Sequence, residues 1–265
     1  MRTQHSRSDT VEPVNSVLHQ AAHGVRFDWG PVGGAAVAEG ADVAVVVDVL
    51  SFSTSLSVAA DLGIVVLPYP WEAEDAPTYA AQHRAVLALG RSVAGPGEVS
   101  LSPVSVRAAE PMERLVLPSP NGSAISVQLA SVVTTVVGAS LRNAAAVADW
   151  IAREHDAETA SIAIVAAGER WPDGSLRPAI EDLWGAGAVL AALEDHDWPG
   201  LSPEAAMAAD AYRLIAGREE SHLMACASGQ ELVGAGFAAD VAVAAEVGTS
   251  TTVPLLSDRG FIAAP

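Results

Sequence analysis

The chain has 265 residues, half of them hydrophobic and 17% charged, with a formal net charge of −18 at pH 7. All 14 basic residues are arginine, and the absence of lysine excludes a Walker-A nucleotide site and every lysine Schiff-base mechanism. An acidic chain without a basic stripe is not expected to bind nucleic acid. No apolar run approaches the roughly 20 residues of a membrane-spanning helix, and the single cysteine excludes an internal disulfide, so we expect a cytoplasmic protein.

The polar N-terminal stretch differs from the rest of the chain. Residues 1–24 are mixed in composition and without periodicity, which is typical of a mobile extension, and they lack the apolar run of a secretory signal. From Val25 onward, apolar β-branched runs alternate with alanine-rich stretches of helical spacing. The predicted strands cover 43–47, 64–67, 115–117, 132–137 and 162–166, and the predicted helices cover 54–62, 72–89, 124–130, 143–154 and 179–193.

This alternation predicts βαβ units with helices on both faces of a largely parallel or mixed sheet, a three-layer α/β/α fold. The strand runs are almost continuous in valine and isoleucine, as expected for strands buried on both faces. In the last third we predict helices over 205–216 and 221–233 and a strand near 251–256. Because no repeat, linker or charge block marks a boundary, residues 25–265 are predicted to form a single domain. The alanine-rich helices are compatible with packing inside that domain or across the two-fold interface of a homodimer.

The first polar loop follows the valine-rich strand at 43–47. It contains Asp48, Ser51, Ser53 and Thr54, where ligands of open α/β sheets commonly bind. A helix that begins near Ser51 would present free backbone N–H groups and hydroxyl donors to a phosphate group. The same residues are also ordinary N-caps, so their spacing alone leaves both interpretations open.

The second polar loop, Ser119-Pro120-Asn121-Gly122-Ser123, separates an apolar strand from a helix. Its composition is that of a turn with a helix cap. As an alternative, its backbone and side chains supply donors for an anion.

The third polar loop runs from Gly168 to Pro178 and precedes Glu181 and Asp182. Pro178 suits the first position of a helix, which would place both carboxylates in the first helical turn, with Glu181 at the edge of an apolar stripe. Acids at a helix start gain about 0.3–1 kcal/mol each from the helix dipole, so a structural role is possible. Adjacent carboxylates beside a glycine-rich loop are equally suited to Mg²⁺, which takes hard oxygen ligands.

Taken together, these motifs resemble the 2-phosphosulfolactate phosphatase (ComB) family over roughly residues 25–257. The motifs in family order are Asp48-Val49-Leu50-x-x-Ser53-Thr54, Asn121-Gly122, Ala167-Gly168, Glu181-Asp182-Leu183-x-x-Ala186-Gly187-Ala188, Leu201-Ser202-x-Glu204-Ala205, Ser221-His222, Gly236-Phe237, Asp240 and Val253-Pro254.

The resemblance implies a Mg²⁺-dependent phosphatase that hydrolyses a small anionic substrate, 2-phospho-3-sulfolactate, to 3-sulfolactate and phosphate. It implies that Asp48, Glu181 and Asp182 are catalytic and hold the metal. Phosphate or substrate would be bound by Ser51, Ser53, Thr54, Asn121, Gly122 and Ser123. Asp48 would be either the general base for a water molecule or the nucleophile itself, and the sequence leaves both open.

Two departures from the family pattern concern anion binding. Members typically carry arginine directly after Asp-Val-Leu, where this chain has Ser51, and residues 94–103 stand in place of the family's Gly-Glu-Arg-Asn-type motif. A substrate with phosphate, carboxylate and sulfonate groups needs several cationic partners. We therefore expect Arg142, Arg170 or Arg177 to supply the missing charge. The same departures leave open another phosphorylated hydroxy acid as substrate, or a phosphate-binding protein that has lost catalysis.

Overall fold

The computed structural model describes residues 17–71 and 75–265. Its main sheet has nine strands in the order β1-β7-β2-β6-β10-β11-β3-β5-β4. The strands are β1 (Val25–Trp29), β2 (Val43–Val47), β3 (Val65–Pro70), β4 (Val86–Leu87), β5 (Arg114–Ser119), β6 (Thr135–Ala139), β7 (Ile162–Ala166), β8 (Glu169–Arg170), β9 (Leu176–Arg177), β10 (Pro254–Ser257) and β11 (Gly260–Ala263). The helices are α1 (Gly30–Ala38), α2 (Phe52–Asp61), α3 (Ala76–His83), α4 (Pro103–Ala108), α5 (Gly122–Leu129), α6 (Ala144–Glu154), α7 (Ile180–Asp195), α8 (Pro203–Arg213), α9 (Glu219–Ala225), α10 (Ala227–Gly234) and α11 (Ala238–Ala244).

The predicted three-layer α/β/α architecture is confirmed. Strand β2 pairs in parallel with both β6 and β7, and all five of its side chains are buried. Val43, Val45 and Val47 pack in one core with residues of α6, α7 and α8. Ala44 and Val46 pack in a second core with residues of α1, α2 and α5. The alternation of side chains along one strand therefore supplies both layers of helices.

The sheet is mixed because a hairpin lies in its middle. Strands β10 and β11 pair antiparallel with each other, and they join β6 on one side to β3 on the other, also antiparallel. The strand predicted near 251–256 is observed as β10, but it is not the last strand as predicted, since the chain turns at Asp258-Arg259 and returns as β11.

Two predicted helices are shorter than expected. The helix predicted over 72–89 ends at His83 because Arg84 adopts a left-handed conformation (φ 51°), and Val86–Leu87 then pair with β5. Residues 72–74 lie outside the described part of the chain. The helix predicted over 221–233 is divided at Cys226, whose extended backbone ends α9 while its Sγ accepts a hydrogen bond from the Gly229 N–H at the start of α10.

Residues 1–16 of the predicted N-terminal extension lie outside the described residues. Within residues 17–24 the chain forms turns, and the Gln20 side chain hydrogen-bonds the main chain of Phe27 in β1. Across the two described ranges, 17–71 and 75–265, no helix is both long and apolar enough to cross a membrane.

Three loops are brought together by the way the helices pack. The β2–α2 and β7–α7 connections follow neighbouring parallel strands, so they leave the sheet at the same edge. The β5–α5 connection joins them because α5, besides lying on β3 and α1, packs against β2. All three polar loops singled out in the sequence therefore meet at one place.

Candidate active site

Asp48 lies directly after β2 and is 5% exposed. Its Oδ1 accepts a hydrogen bond from the backbone N–H of Phe52 (3.1 Å), and its Oδ2 accepts one from the N–H of Gly122 (2.8 Å). The carboxylate thus links the first turns of α2 and α5. Burial raises the pKa of Asp48, the two N–H donors oppose that rise, and the nearby Glu181 charge adds to it.

Gly122 is required by this close approach. A Cβ at this position would lie 2.3 Å from the Phe52 ring and 2.8 Å from Asp48 Oδ2. A side chain would therefore displace the carboxylate from the start of α5. This close approach explains why the second residue of the Asn121-Gly122 pair is glycine.

Asp182 connects the other two loops. Its Oδ1 accepts from the Val49 N–H (2.7 Å) after β2, and its Oδ2 accepts from the Gly168 N–H (2.8 Å) after β7. The side chain is 3% exposed. Burial raises the pKa of Asp182 well above its ordinary value, the charges of Asp48 and Glu181 add to this rise, and the Val49 N–H opposes it.

Glu181, which the sequence places off the edge of an apolar stripe, is 2% exposed in the first turn of α7. The helix is buried on nearly all sides, and Gly185, one turn on, lies so close to β2 that a Cβ there would be 2.5 Å from Val49 and 2.7 Å from Val47. Helix α7 begins at Ile180 with Ala179 as its N-cap, so Pro178 precedes the helix instead of opening it.

Glu169 is a functional candidate that sequence reasoning missed. It opens the small β8–β9 hairpin, opposite Arg177, and its Oε2 accepts a hydrogen bond from Asn121 Nδ2 (3.0 Å). Burial raises the pKa of Glu169 to about 7, and the Asp48 charge contributes to the rise, while the Asn121 hydrogen bond and the Arg177 charge oppose it. The only signal in the sequence was its place directly after Gly168, in a stretch typical of a solvated turn.

We call Asp48, Glu169, Glu181 and Asp182 the carboxylate cluster. They come from the β2–α2 connection and from the segment that follows β7. Asp48, Glu181 and Asp182 are buried and Glu169 is half-buried, and the charges of neighbouring acids raise the pKa values of Asp48, Glu169 and Asp182. Within the described residues none of the four forms an ion pair with an arginine. Their hard oxygen atoms suit Mg²⁺. No three His, Cys, Asp or Glu side chains in the described ranges converge as ligands of one ion, which fits a metal held by one or two carboxylates with water and substrate oxygens completing its shell.

The predicted hydroxyl donors mainly stabilise the loops. Ser53 donates to the Val46 carbonyl (3.2 Å), Thr54 to the Val49 carbonyl (2.7 Å), and Ser123 to the Leu117 carbonyl (2.6 Å). These hydroxyl protons are therefore directed to the main chain at the ends of β2 and β5. Ser51 differs, because its Oγ accepts a hydrogen bond from Arg91 Nη2 (2.6 Å).

The three arginines proposed from the sequence lie in different places. The structure does not bring Arg142 to the cluster, because its buried guanidinium is bound to Ser57, Asp61 and Glu246. Arg170 is exposed, 3.5 Å from the Pro120 carbonyl. Arg177 donates to Ser228 Oγ (3.2 Å), lies over the Trp171 ring, and is the one whose charge acts on Glu169.

A cleft of about 340 Å³ opens beside the cluster and is lined by Trp29, Asn121, Glu169, Arg170 and Leu176, among others. Larger clefts near Arg114 and near Trp150 contain none of the four carboxylates. The cleft with chemically suitable groups is therefore not the largest one.

Comparison with known proteins agrees with this geometry. A family model described as 2-phosphosulpholactate phosphatase matches residues 35–259, a span that includes the whole carboxylate cluster. No curated protein matches the chain. The family match confirms the resemblance identified from the sequence motifs.

Proposed function

The chain belongs to the 2-phosphosulfolactate phosphatase family of phosphoric monoester hydrolases, and we propose that it hydrolyses 2-phospho-3-sulfolactate to 3-sulfolactate and phosphate with the help of Mg²⁺. The observation that carries this proposal is the carboxylate cluster. Three buried acids and the half-buried Glu169, none of them ion-paired with an arginine of the described residues, form an acidic site whose negative charge a divalent cation would neutralise.

One or two of the carboxylates of Glu181, Asp182 and Asp48 would hold the metal, with water and substrate oxygens completing its shell. Their oxygens match the ligand preference of Mg²⁺. When bound, the ion would supply positive charge to the non-bridging oxygens of the phosphoryl group.

Asp48 is the residue best oriented for the attack on phosphorus. The N–H groups of Phe52 and Gly122 hold its two oxygens in a fixed plane at the meeting point of the loops. It acts either as the base that takes a proton from the attacking water or as a nucleophile that forms an aspartyl phosphate. The stereochemical course at phosphorus, followed with a substrate whose phosphoryl group is chiral, separates the alternatives: retention supports two displacements through an aspartyl phosphate, and inversion supports direct attack by water.

Glu169 is suited to protonate the leaving group. As the bond between phosphorus and the hydroxyl oxygen breaks, that oxygen gains negative charge and needs a proton. A carboxyl group with a pKa of about 7 is partly protonated near neutral pH, so Glu169 would donate this proton. The Asn121 amide orients the carboxyl group.

The function is tested by assaying the purified chain for phosphate release from 2-phospho-3-sulfolactate with Mg²⁺ and with EDTA. We expect turnover that depends on the metal. A second candidate substrate, another small phosphorylated hydroxy acid, is favoured by Ser51, which stands where family members carry arginine. Equal kcat/KM for 2-phospholactate, phosphoglycolate and 2-phospho-3-sulfolactate would contradict recognition of the sulfonate, and no turnover of any of them would contradict the phosphatase function.

A further inference from the structure

Arg91 reaches the first polar loop from a distant part of the chain. It lies between β4 and α4, and its side chain is 16% exposed. Its Nη2 donates to Ser51 Oγ (2.6 Å), and its Nε donates to Asp240 Oδ2 (2.9 Å). The guanidinium carbon lies 5.6 Å from the centre of the Phe237 ring. Arg91 is therefore held in one orientation beside Asp48, whose pKa its charge lowers.

Asp240 is built into the fold as the support of this arginine. It is 2% exposed in α11, and its second oxygen accepts a hydrogen bond from the Ser102 hydroxyl at the start of α4. Both carboxylate oxygens are thus occupied, and the carboxylate cannot turn without breaking one of the two contacts. This arrangement fixes Arg91 and leaves part of its hydrogen-bonding capacity unused.

A guanidinium group has five N–H donors. Ser51 and Asp240 take one each, and the Nη1 nitrogen has no acceptor in the described part of the chain. Such a planar fork, fixed at one edge, suits a tetrahedral oxyanion at the other.

We propose that Arg91 binds an anionic oxygen of the substrate, on a phosphoryl or sulfonate group, and that Asp240 is its positioning residue. The inference rests on the proposed function for the identity of the substrate. Arg91, which lies 40 positions after Ser51 in the sequence, brings a positive charge to the Ser51 hydroxyl. Arg142, by contrast, is already neutralised by two carboxylates.

The central test compares Arg91→Met with Arg153→Met. Arg153 is an exposed arginine of α6 paired with its neighbour Glu154, so its replacement removes the same charge from the surface. Binding of inorganic phosphate and of 3-sulfolactate is measured by titration calorimetry. We expect Arg91→Met to weaken binding by about 10- to 100-fold, the usual effect of losing a charged hydrogen bond, and Arg153→Met to leave it unchanged.

The two probes distinguish the group that Arg91 binds. Weaker binding of both phosphate and 3-sulfolactate assigns Arg91 to the tetrahedral oxyanion position shared by the two probes, and weaker binding of 3-sulfolactate alone assigns it to the other anionic groups of the substrate. Unchanged affinity for both in a folded Arg91→Met protein overturns the proposal. Arg91→Lys, which keeps the charge but loses the fork, should retain part of the affinity.

Asp240→Asn tests the positioning role. It keeps the shape of the side chain but weakens the contact with Nε, so KM should rise while kcat changes little. A lower unfolding temperature with KM unchanged would show that Asp240 only stabilises the fold and would overturn its role. If the wild-type protein releases no phosphate from 2-phospho-3-sulfolactate but phosphate binding still depends on Arg91, the proposed function fails and this inference stands.

Discussion

Two groups of charged side chains lie near the two ends of α2, and they differ in the balance of positive and negative charge. The carboxylate cluster, at the start of the helix, brings together four acids, none of which is ion-paired with an arginine of the described residues. The second group, which we call the arginine network, consists of Arg107, Arg142, Asp61 and Glu246. In it, Arg142 binds both acids and Arg107 binds Glu246 through both of its terminal nitrogens.

The difference indicates which group is structural and which is functional. In the arginine network each charge meets an opposite one, and the pKa of Glu246 is lowered by hydrogen bonds from Arg107 and by the charge of Arg142. In the carboxylate cluster, burial and the charges of neighbouring acids raise the pKa values of Asp48, Glu169 and Asp182. The charges of the arginine network are neutralised by its own ion pairs, whereas the carboxylate cluster favours the binding of a cation or of protons. Substitutions in each of the two groups test this comparison.

The largest expected effect is that of Asp48→Asn on catalysis. The amide keeps the shape but removes the charge needed for attack or proton removal, so kcat should fall by about 10²–10⁴-fold. Steady-state kinetics with Mg²⁺ measures this. An active Asp48→Asn protein would remove Asp48 from the mechanism.

In the arginine network the expected effect is on stability. Arg142→Met leaves Asp61 and Glu246 without their shared partner, and the free energy of unfolding should fall by about 2–4 kcal/mol. Urea unfolding measures the change, with Arg153→Met as the exposed control, for which a change within about 0.5 kcal/mol is expected. At a temperature where the variant is folded, kcat should equal that of wild type. A large drop in kcat would instead connect the network to the active site.

The stability of the metal-free protein should depend on pH because of Glu169. Its pKa rises from 4.5 to about 7 on folding. A raised pKa means that the folded state keeps its proton while the unfolded chain loses it. The free energy of unfolding is therefore highest below pH 4.5 and decreases as the pH rises towards about 7. For this group the decrease is up to about 3 kcal/mol.

The same measurement on Glu169→Gln provides the control. Urea unfolding in EDTA between pH 4.5 and 8 should give a flatter profile for the variant than for wild type. Asp48 and Asp182 shift in the same direction, so some slope should remain. Identical slopes for both proteins would mean that Glu169 is not protonated in the folded state.

The smallest expected effect is stabilisation by Mg²⁺. At pH 8 saturating Mg²⁺ should raise the free energy of unfolding by about 1–2 kcal/mol, since the ion binds only the folded cluster. Thermal unfolding with and without EDTA detects this, and Glu181→Gln should reduce it. Asp61→Asn, in the arginine network, should retain it. Equal stabilisation of the Glu181→Gln protein would exclude Glu181 as a ligand.

Local sequence signals predicted the layered fold and part of the site. Runs rich in valine and isoleucine predicted β2 and β7. A polar residue directly after such a run, as at Asp48, lies at a strand end whatever the order of the strands in the sheet. Glu169 and Arg91 could not be found in this way. Their partners are far along the chain, since 149 positions separate Arg91 from Asp240, and no periodicity records such contacts. The central β10–β11 hairpin was missed for a related reason: its place between β6 and β3 depends on pairing with distant strands.

The β8–β9 hairpin has a consequence for how members of this fold can diverge. Its paired residues Glu169 and Arg177 lie beside the carboxylate cluster, and the Leu176 side chain packs so close to Gly168 that a Cβ there would be only 2.7 Å away, which fixes the base of the hairpin. Its tip, residues 171–175, is exposed. Insertions or replacements at the tip would alter what enters the cleft while the acid and the arginine at the base stay in register. Substrate choice can therefore evolve, or be engineered, separately from the hydrolytic chemistry.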